Sequence, residues 1–186
     1  MKTSPRLTPL INFLLYQVAW FGCVMGAAAG QPLVGVGLSA LIIGLHLALS
    51  SAPMTELRII VLTGIIGGLW ETLIVQQDWV RYQGSTWAGF PPLWIVALWP
   101  GFATTFNSSL RWLQPRTGLA SLLGLVGGPL AWVAGERLGA LQLPNYGLDL
   151  MAIGLGWSVL MPVLLLLTQR LSDQSSADCT VENPDV

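Results

Sequence analysis

The chain has 186 residues, of which 53% are hydrophobic and only 9% are charged, and its mean hydropathy is +0.65. Soluble domains carry charge on about a quarter of their residues, so this composition excludes an ordinary soluble protein and indicates that lipid is the solvent. The formal net charge is -1, and the basic residues are scattered rather than clustered. These two features exclude a nucleic-acid-binding protein and leave the lipid bilayer as the expected partner.

Six apolar runs follow one another along the chain, each long enough for a membrane-spanning helix of roughly 20 residues. X-Pro pairs punctuate most of the gaps, because proline disfavours helix in the residue before it. The sequence therefore predicts an all-α bundle of six transmembrane helices over residues 10–171, with an N-terminal tail (1–9) and a polar, disordered C-terminal tail (172–186). The predicted spans are 10–28, 32–50, 59–76, 92–110, 118–140 and 148–168.

The distribution of basic residues predicts the orientation of the bundle. If both termini are cytoplasmic, six of the eight Lys and Arg residues lie inside and only Arg81 and Arg137 lie outside, which satisfies the positive-inside rule. The inside set is Lys2, Arg6, Arg58, Arg111, Arg116 and Arg170. The expected location is the bacterial inner (plasma) membrane, with multiple passes.

The first apolar run has two interpretations. Lys2 and Arg6 followed by an apolar stretch and small residues at 26–30 also match a secretory signal peptide. Asn12, Gln17 and Trp20 interrupt what would be a plain apolar core, however, and removal of the run would disturb the charge rule. Retention as a first span is the favoured interpretation.

Polar side chains within the apolar runs mark candidate sites, since a charge at the bilayer centre is costly. In the third run, Gly64, Gly67, Gly68 and Glu71 share one helical stripe, so Glu71 is predicted to face neighbouring helices rather than lipid. The position of each polar group along its run places it either toward the predicted cytoplasmic side of the membrane, the inner layer, or toward the opposite side, the outer layer. The inner-layer candidates are Asn12, His46 and Asn107.

The outer layer contains Glu71 and most of the aromatic residues, which suggests a ligand pocket at that side. The candidate ligand-binding residues are Glu71, Trp70, Trp94, Trp132 and Arg137. The alternatives are structural: an ion pair between Glu71 and Arg137, an interfacial belt of aromatic residues, and, in the inner layer, a hydrogen bond from His46 to Asn107 or Asn12.

No catalytic constellation emerges from the sequence. Cys23 and Cys179 lie at opposite ends of the chain and His46 is the only histidine, so neither a disulfide nor a metal site is expected. No nucleophile motif or phosphate-binding loop stands in a supporting context. We therefore expect no cofactor and no metal, and we assign no catalytic residues.

Five stretches carry a resemblance to a known family, covering about residues 10–170. They are 12–24 (NFLLYQVAWFGCV), 46–50 (HLALS), 93–99 (LWIVALW), 102–112 (FATTFNSSLRW) and 127–140 (GGPLAWVAGERLGA). Together they resemble a family of small proteobacterial inner-membrane proteins of unknown function. The resemblance implies the six-span topology and the location, but carries over no catalytic residue.

The resemblance also implies gene neighbourhoods that contain fatty-acid-modifying enzymes, which favours a role with lipids. The leading hypothesis is a protein that binds or moves a lipid-like amphipathic molecule, as an accessory to membrane-lipid modification. Two alternatives remain open. One is the substrate-binding membrane subunit of a vitamin-type importer, and the other is an intramembrane enzyme that uses His46 or Glu71 as an acid or base.

Overall fold

The computed structural model describes residues 8–84 and 89–182, with side chains up to residue 175. Most of the predicted N-terminal tail and Trp87, one of the outer aromatic residues, lie outside this part of the chain. The described residues form six α-helices, one 3₁₀ turn (Arg111–Leu113) and a two-stranded antiparallel ladder of β1 (Arg81–Tyr82) and β2 (Leu141–Gln142). The helices are α1 (Pro9–Ala28), α2 (Pro32–Leu49), α3 (Pro53–Gln76), α4 (Leu93–Ala103), α5 (Thr117–Arg137) and α6 (Tyr146–Glu182).

Proline sets the start of the first three helices. Pro9, Pro32 and Pro53 each occupy the first helical position, where the missing N–H is not needed and the fixed φ already suits a helix. Gly30 and Gly139 follow the ends of α1 and α5 with φ of 71° and 83°, a conformation that glycine adopts without strain. The X-Pro punctuation in the sequence therefore marked real helix boundaries.

Five helices are long and apolar enough to cross a membrane: α1, α2, α3, α5 and the Tyr146–Ser175 part of α6. Their outward surfaces carry large apolar side chains, such as Leu33, Leu41 and Leu69, which are about two-thirds exposed. Such surfaces would be unstable in water and are what lipid requires. The protein is therefore a multi-pass membrane protein.

The fourth predicted span differs from the expected continuous helix over 92–110. Helix α4 has only 11 residues, or about 16 Å at 1.5 Å per residue, and the chain from 104 to 110 continues as successive turns. The break follows Pro100, and the hydroxyls of Thr104 and Thr105 donate back to the carbonyls of Gly101 and Phe102. These local bonds compete with regular helical bonding.

The first part of the broken segment (residues 104–110) is buried by protein rather than exposed to lipid. Thr104, Thr105 and Phe106 are at most 1% exposed. Two of the carbonyls there accept hydrogen bonds from side chains: Asn12 Nδ2 donates to Thr104 O at 3.1 Å, and Gln114 Nε2 donates to Phe106 O at 3.0 Å. Irregular backbone at membrane depth is tolerated only when it is satisfied by protein or lines a cavity, and this segment meets that condition.

Two helix pairs approach closely through glycine. Gly35 of α2 lies against the backbone of Cys23 in α1, where an added Cβ would come within 2.3 Å of the Cys23 Cα. Gly124 of α5 lies against the carbonyl of Trp157 in α6, where an added Cβ would lie 2.2 Å from the oxygen. The first helix is thus packed tightly against the second.

The C-terminal segment also differs from the sequence expectation. The sequence predicts disorder over 172–186, whereas α6 continues to Glu182 and residues 183–186 lie outside the described part of the chain. Before that point, Thr55 Oγ1 donates to Ser175 Oγ at 2.8 Å and Asn107 Nδ2 donates to Ser172 Oγ at 3.2 Å. Hydrogen bonds to the start of α3 and to the broken segment therefore hold this part of α6 against the bundle.

Candidate functional site

Polar groups concentrate at the two ends of the bundle. We call them the Tyr82 end, with the α3–α4 and α5–α6 connections, and the His46 end, with the α2–α3 connection and residues 104–116. Both ends contain a buried carboxylate, and the His46 end also contains a large cavity.

Glu71 is the centre of the polar network at the Tyr82 end. Its side chain is fully buried, which confirms that the glycine stripe turns it toward protein. The Tyr82 hydroxyl donates to Oε2 at 2.5 Å, and Trp99 Nε1 donates to Oε1 at 2.9 Å. Gly67, one turn earlier, makes room for Trp99, because an added Cβ would lie 2.0 Å from its ring. Each carboxylate oxygen thus accepts a hydrogen bond from a protein donor.

Tyr82 connects this network to α5 and to the ladder. Its hydroxyl accepts a hydrogen bond from Trp132 Nε1 at 3.0 Å, and its backbone pairs with Leu141 across the β1–β2 ladder. Burial raises the pKa of the Tyr82 phenol well above its ordinary value, and the Glu71 carboxyl group adds to the rise. The phenol therefore remains protonated and serves as a donor to Glu71.

This pKa shift predicts a pH dependence of stability. Above about pH 10 the unfolded phenol loses its proton while the folded one keeps it, so folding is penalised and the free energy of unfolding falls as pH rises. Tyr82→Phe removes this titration. We expect the stability of the wild type to fall more steeply between pH 9 and pH 11 than that of Tyr82→Phe in unfolding titrations. Equal slopes for the two proteins would contradict the prediction.

The other candidates at the Tyr82 end are dispersed. Trp94 Nε1 donates to the carbonyl of Gln83 at 2.9 Å, and Trp70 packs against Gly156. Arg137 is exposed, and among the described residues it makes no ion pair with Glu71. The cavity beside Trp94 and Trp132 has a volume of about 30 Å³, which is the space of a single water molecule. The structure thus brings Glu71 and Trp132 together through Tyr82, but leaves Arg137 apart.

The His46 end contains a cavity of about 710 Å³. At its wall, His46 Nε2 lies 3.1 Å from Glu56 Oε2, and both side chains are buried. Asn107 Nδ2 donates to the other oxygen, Glu56 Oε1, at 3.0 Å. The lining also includes Ser50, Ser108, Arg111, Gln114, Gln169 and Asp173. The arrangement places a carboxylate and an imidazole, held by an amide, beside a space large enough for a small molecule.

Residues 107–115, which follow α4, supply five of the residues that line the cavity. Gln114 Nε2 donates to Asn107 Oδ1 at 3.0 Å, which fixes the orientation of the Asn107 amide. Asn12 of α1 lies next to the wall, where its Oδ1 accepts a hydrogen bond from Ser109 at 2.8 Å. The three inner-layer candidates therefore all lie at this end, with His46 and Asn107 joined through Glu56 and Asn12 bound to the broken segment.

Glu56 is the principal residue that the sequence analysis missed. It fell before the predicted start of the third span and was treated as part of a connection, whereas α3 begins at Pro53. The helical spacing contained a signal, since Glu56, Ile60, Thr63, Gly67 and Glu71 follow one face of α3 and are all buried. Continuing the glycine stripe backward would have placed Glu56 at the same interior face as Glu71.

One protein-family model matches residues 9–163, and its description is "Protein of unknown function (DUF2878)". No curated protein and no solved structure matches the chain. Any activity must therefore be inferred from the residues of the chain itself.

Proposed function

Because the chain belongs to the family of proteins of unknown function DUF2878, we propose a function from its own geometry: it binds a small polar molecule in the cavity at the His46 end. The observation that carries this proposal is the cavity of about 710 Å³ beside the buried His46–Glu56 pair. A buried ionisable pair in a membrane protein is costly and commonly marks a ligand or ion site.

The predicted amphipathic ligand near Glu71 remains an alternative prediction, but the geometry favours the His46 end. Glu71 is fully buried against its donors Tyr82 and Trp99, and the neighbouring cavity is only about 30 Å³, so a ligand there would have to displace protein atoms. A ligand at the His46 end would enter space that already exists. A lipid-like molecule remains compatible with this second position if its polar headgroup enters the cavity.

We further propose six membrane crossings, with the cavity facing the cytoplasm of a bacterial cell and both termini on that side. Two observations support this. Arg58, Arg111, Arg116 and Arg170 belong to the His46 end, whereas Arg81 and Arg137 belong to the Tyr82 end, in agreement with the positive-inside rule. In addition, Trp94 contacts Gln83 at one end and Asn107 contacts Glu56 at the other, so α4 and its broken continuation traverse the bundle.

Cysteine labelling tests both the cavity and its orientation. In a protein without its native cysteines, Ser108→Cys places a thiol on the cavity wall, and Thr104→Cys is the matched control because Thr104 is only 1% exposed. We expect a membrane-impermeant maleimide to label position 108 in inverted membrane vesicles but not in intact spheroplasts, and to leave position 104 unlabelled. Labelling of position 108 only in spheroplasts would reverse the orientation, and equal labelling of both positions would contradict the cavity.

Native mass spectrometry tests binding itself. Protein extracted directly into nanodiscs should retain a small molecule, and Ser108→Trp, which fills the cavity with an indole ring, should lose it. The control is Gln77→Trp, on the exposed surface at the opposite end, which should keep the molecule. Retention of the same molecule by Ser108→Trp would contradict binding in this cavity.

An enzymatic role is a second candidate, because His46 and Glu56 lie within hydrogen-bond distance. A carboxylate that orients an imidazole is a common arrangement for general acid–base catalysis. This candidate is tested by comparing the lipids and small metabolites of a deletion strain complemented with wild type or with His46→Gln. An enzyme predicts that a product disappears and a substrate accumulates, whereas a binding protein predicts no such pair. The importer-subunit alternative instead predicts copurification with an ATPase.

A further inference from the structure

The buried charge of the His46-end cavity is negative when the His46 imidazole beside Glu56 is neutral. Besides this buried pair, two charged side chains line the cavity, and both of them, Arg111 and Asp173, are exposed. The two exposed side chains have opposite signs and lie in water, where their fields are screened. The Glu56 carboxylate lies in a poorly polarisable environment, in which a charge interacts more strongly with a ligand. The cavity should therefore attract a positive group to its depth.

The hydrogen-bonding capacity of the groups around Glu56 also favours a positively charged ligand group that donates hydrogen bonds. The Asn107 amide donates to Glu56 and to Ser172. The Gln114 amide donates to Phe106 O and to Asn107 Oδ1. Each Glu56 oxygen accepts one bond, although a carboxylate has about four acceptor sites in all. The carboxylate thus retains unused acceptor capacity, while the amide donors of Asn107 and Gln114 beside it are used within the protein.

From these observations we propose that the cavity binds a protonated amine, with Glu56 as its counter-ion and hydrogen-bond acceptor. This inference rests on the proposed function and specifies its ligand. An ammonium group provides three donors and one positive charge, which match the charge and the unused acceptor sites of Glu56. His46 and Asn107 hold the carboxylate in place.

The cavity has room for more than an amine. A volume of about 710 Å³ is within the range of pockets for drug-sized ligands, so the ammonium is one end of a larger molecule. Arg111 at the rim suits an anionic group on the same molecule. Two sources share this chemistry: a free amine-containing solute, and the headgroup of an ethanolamine phospholipid entering from the adjacent leaflet.

The first test compares ethanolamine with ethylene glycol, in which a hydroxyl replaces the ammonium. Both are titrated against the protein in phosphatidylcholine nanodiscs and followed by isothermal calorimetry. We expect saturable binding of ethanolamine and at least about tenfold weaker binding of ethylene glycol, because only the first forms a charge-assisted bond with Glu56. Equal affinities would overturn the proposal.

Two pairs of variants connect binding to Glu56. Glu56→Gln removes the charge, and Asp78→Asn removes an equal charge from an exposed position at the Tyr82 end. Ser108→Lys adds a positive charge to the cavity wall without altering Glu56, and Ser108→Gln is its neutral control. We expect Glu56→Gln to weaken ethanolamine binding at least about tenfold while Asp78→Asn binds like the wild type, and Ser108→Lys to bind ethanolamine at least about tenfold more weakly than Ser108→Gln. Unchanged binding in Ser108→Lys would overturn the proposal even if Glu56→Gln failed to fold.

Phospholipid composition distinguishes the two sources of the amine. Replacing part of the phosphatidylcholine with phosphatidylethanolamine should weaken the apparent binding of ethanolamine if the lipid headgroup occupies the cavity. Unchanged binding of ethanolamine would assign the site to a free amine, and either result supports the proposal. If ethanolamine does not bind but Ser108→Trp still loses a copurifying molecule, the amine is excluded while the binding function stands. If ethanolamine does not bind and Ser108→Trp also retains the copurifying molecule, both the amine proposal and the proposed binding function are contradicted.

Discussion

Glu71→Ala is expected to lower the free energy of unfolding by about 3 kcal/mol, because it leaves two buried donors without an acceptor. The Tyr82 hydroxyl and Trp99 Nε1 both donate to this carboxylate, and an unpaired buried donor costs about 1–3 kcal/mol. The substitution also leaves a cavity in a fully buried position. Unfolding titrations in detergent micelles, followed by tryptophan fluorescence, measure the effect.

Glu136→Ala is the control for the loss of a carboxylate at the same end of the bundle. Glu136 is only partly buried and accepts one bond, from the Leu143 backbone N–H at 2.9 Å, so we expect a cost of about 1 kcal/mol. Glu71→Gln should be intermediate, since its amide oxygen still accepts one of the two donors. If Glu71→Ala were no less stable than Glu136→Ala, the Tyr82–Glu71–Trp99 network would not contribute to stability as the geometry indicates.

Gly35→Ala is expected to destabilise the protein by about 3 kcal/mol, since overpacking of a close contact costs about 1–3 kcal/mol and occasionally more. The new Cβ would lie 2.3 Å from the Cys23 Cα, 2.5 Å from its N and 2.7 Å from the carbonyl carbon of Gly22. These are backbone atoms, so no side-chain rotation relieves the clash and α1 must move away from α2. Such a movement would also lengthen the 3.4 Å contact between Cys23 Sγ and Ser39 Oγ.

Gly37→Ala provides the matched control two residues along the same helix. Nothing lies within 4 Å of the position of its Cβ, so the substitution only improves helix propensity and is expected to stabilise by up to about 1 kcal/mol. The opposite signs of the two effects can be measured as midpoints of thermal unfolding in the same detergent. Equal midpoints for the two variants would contradict the close approach of α1 and α2.

Glu71 and Glu56 show that the two ends of the bundle have different structural properties. At the Tyr82 end, tyrosine and tryptophan donors enclose a carboxylate and leave space for about one water molecule. At the His46 end, a similar carboxylate has a histidine and an amide as its hydrogen-bond partners and lies beside a cavity. Helix α4 contacts Glu71 through Trp99, and the chain that follows it contacts Glu56 through Asn107.

The sequence by itself determined the features that depend on composition and local spacing. Lipid requires long apolar segments, so hydropathy identified the membrane class and five of the spans, and the prolines identified several helix boundaries. Helical periodicity then determined the direction of Glu71, because residues three, four and seven positions apart share a face whatever the helix packs against. Depth along the apolar runs grouped Asn12, His46 and Asn107 in one layer, and all three lie at the His46 end.

Only the tertiary structure decided which polar groups meet. His46 pairs with Glu56, ten residues away in sequence, and Asn107 joins them from another part of the chain. The end of α4 at residue 103 could not be predicted from the sequence either. Apolar composition alone does not distinguish a continuous helix from one whose freed carbonyls are satisfied by Asn12 and Gln114. Hydropathy is a sum over neighbouring residues, whereas cavities and hydrogen-bond networks depend on contacts between distant ones, and those distances exist only once the helices have packed.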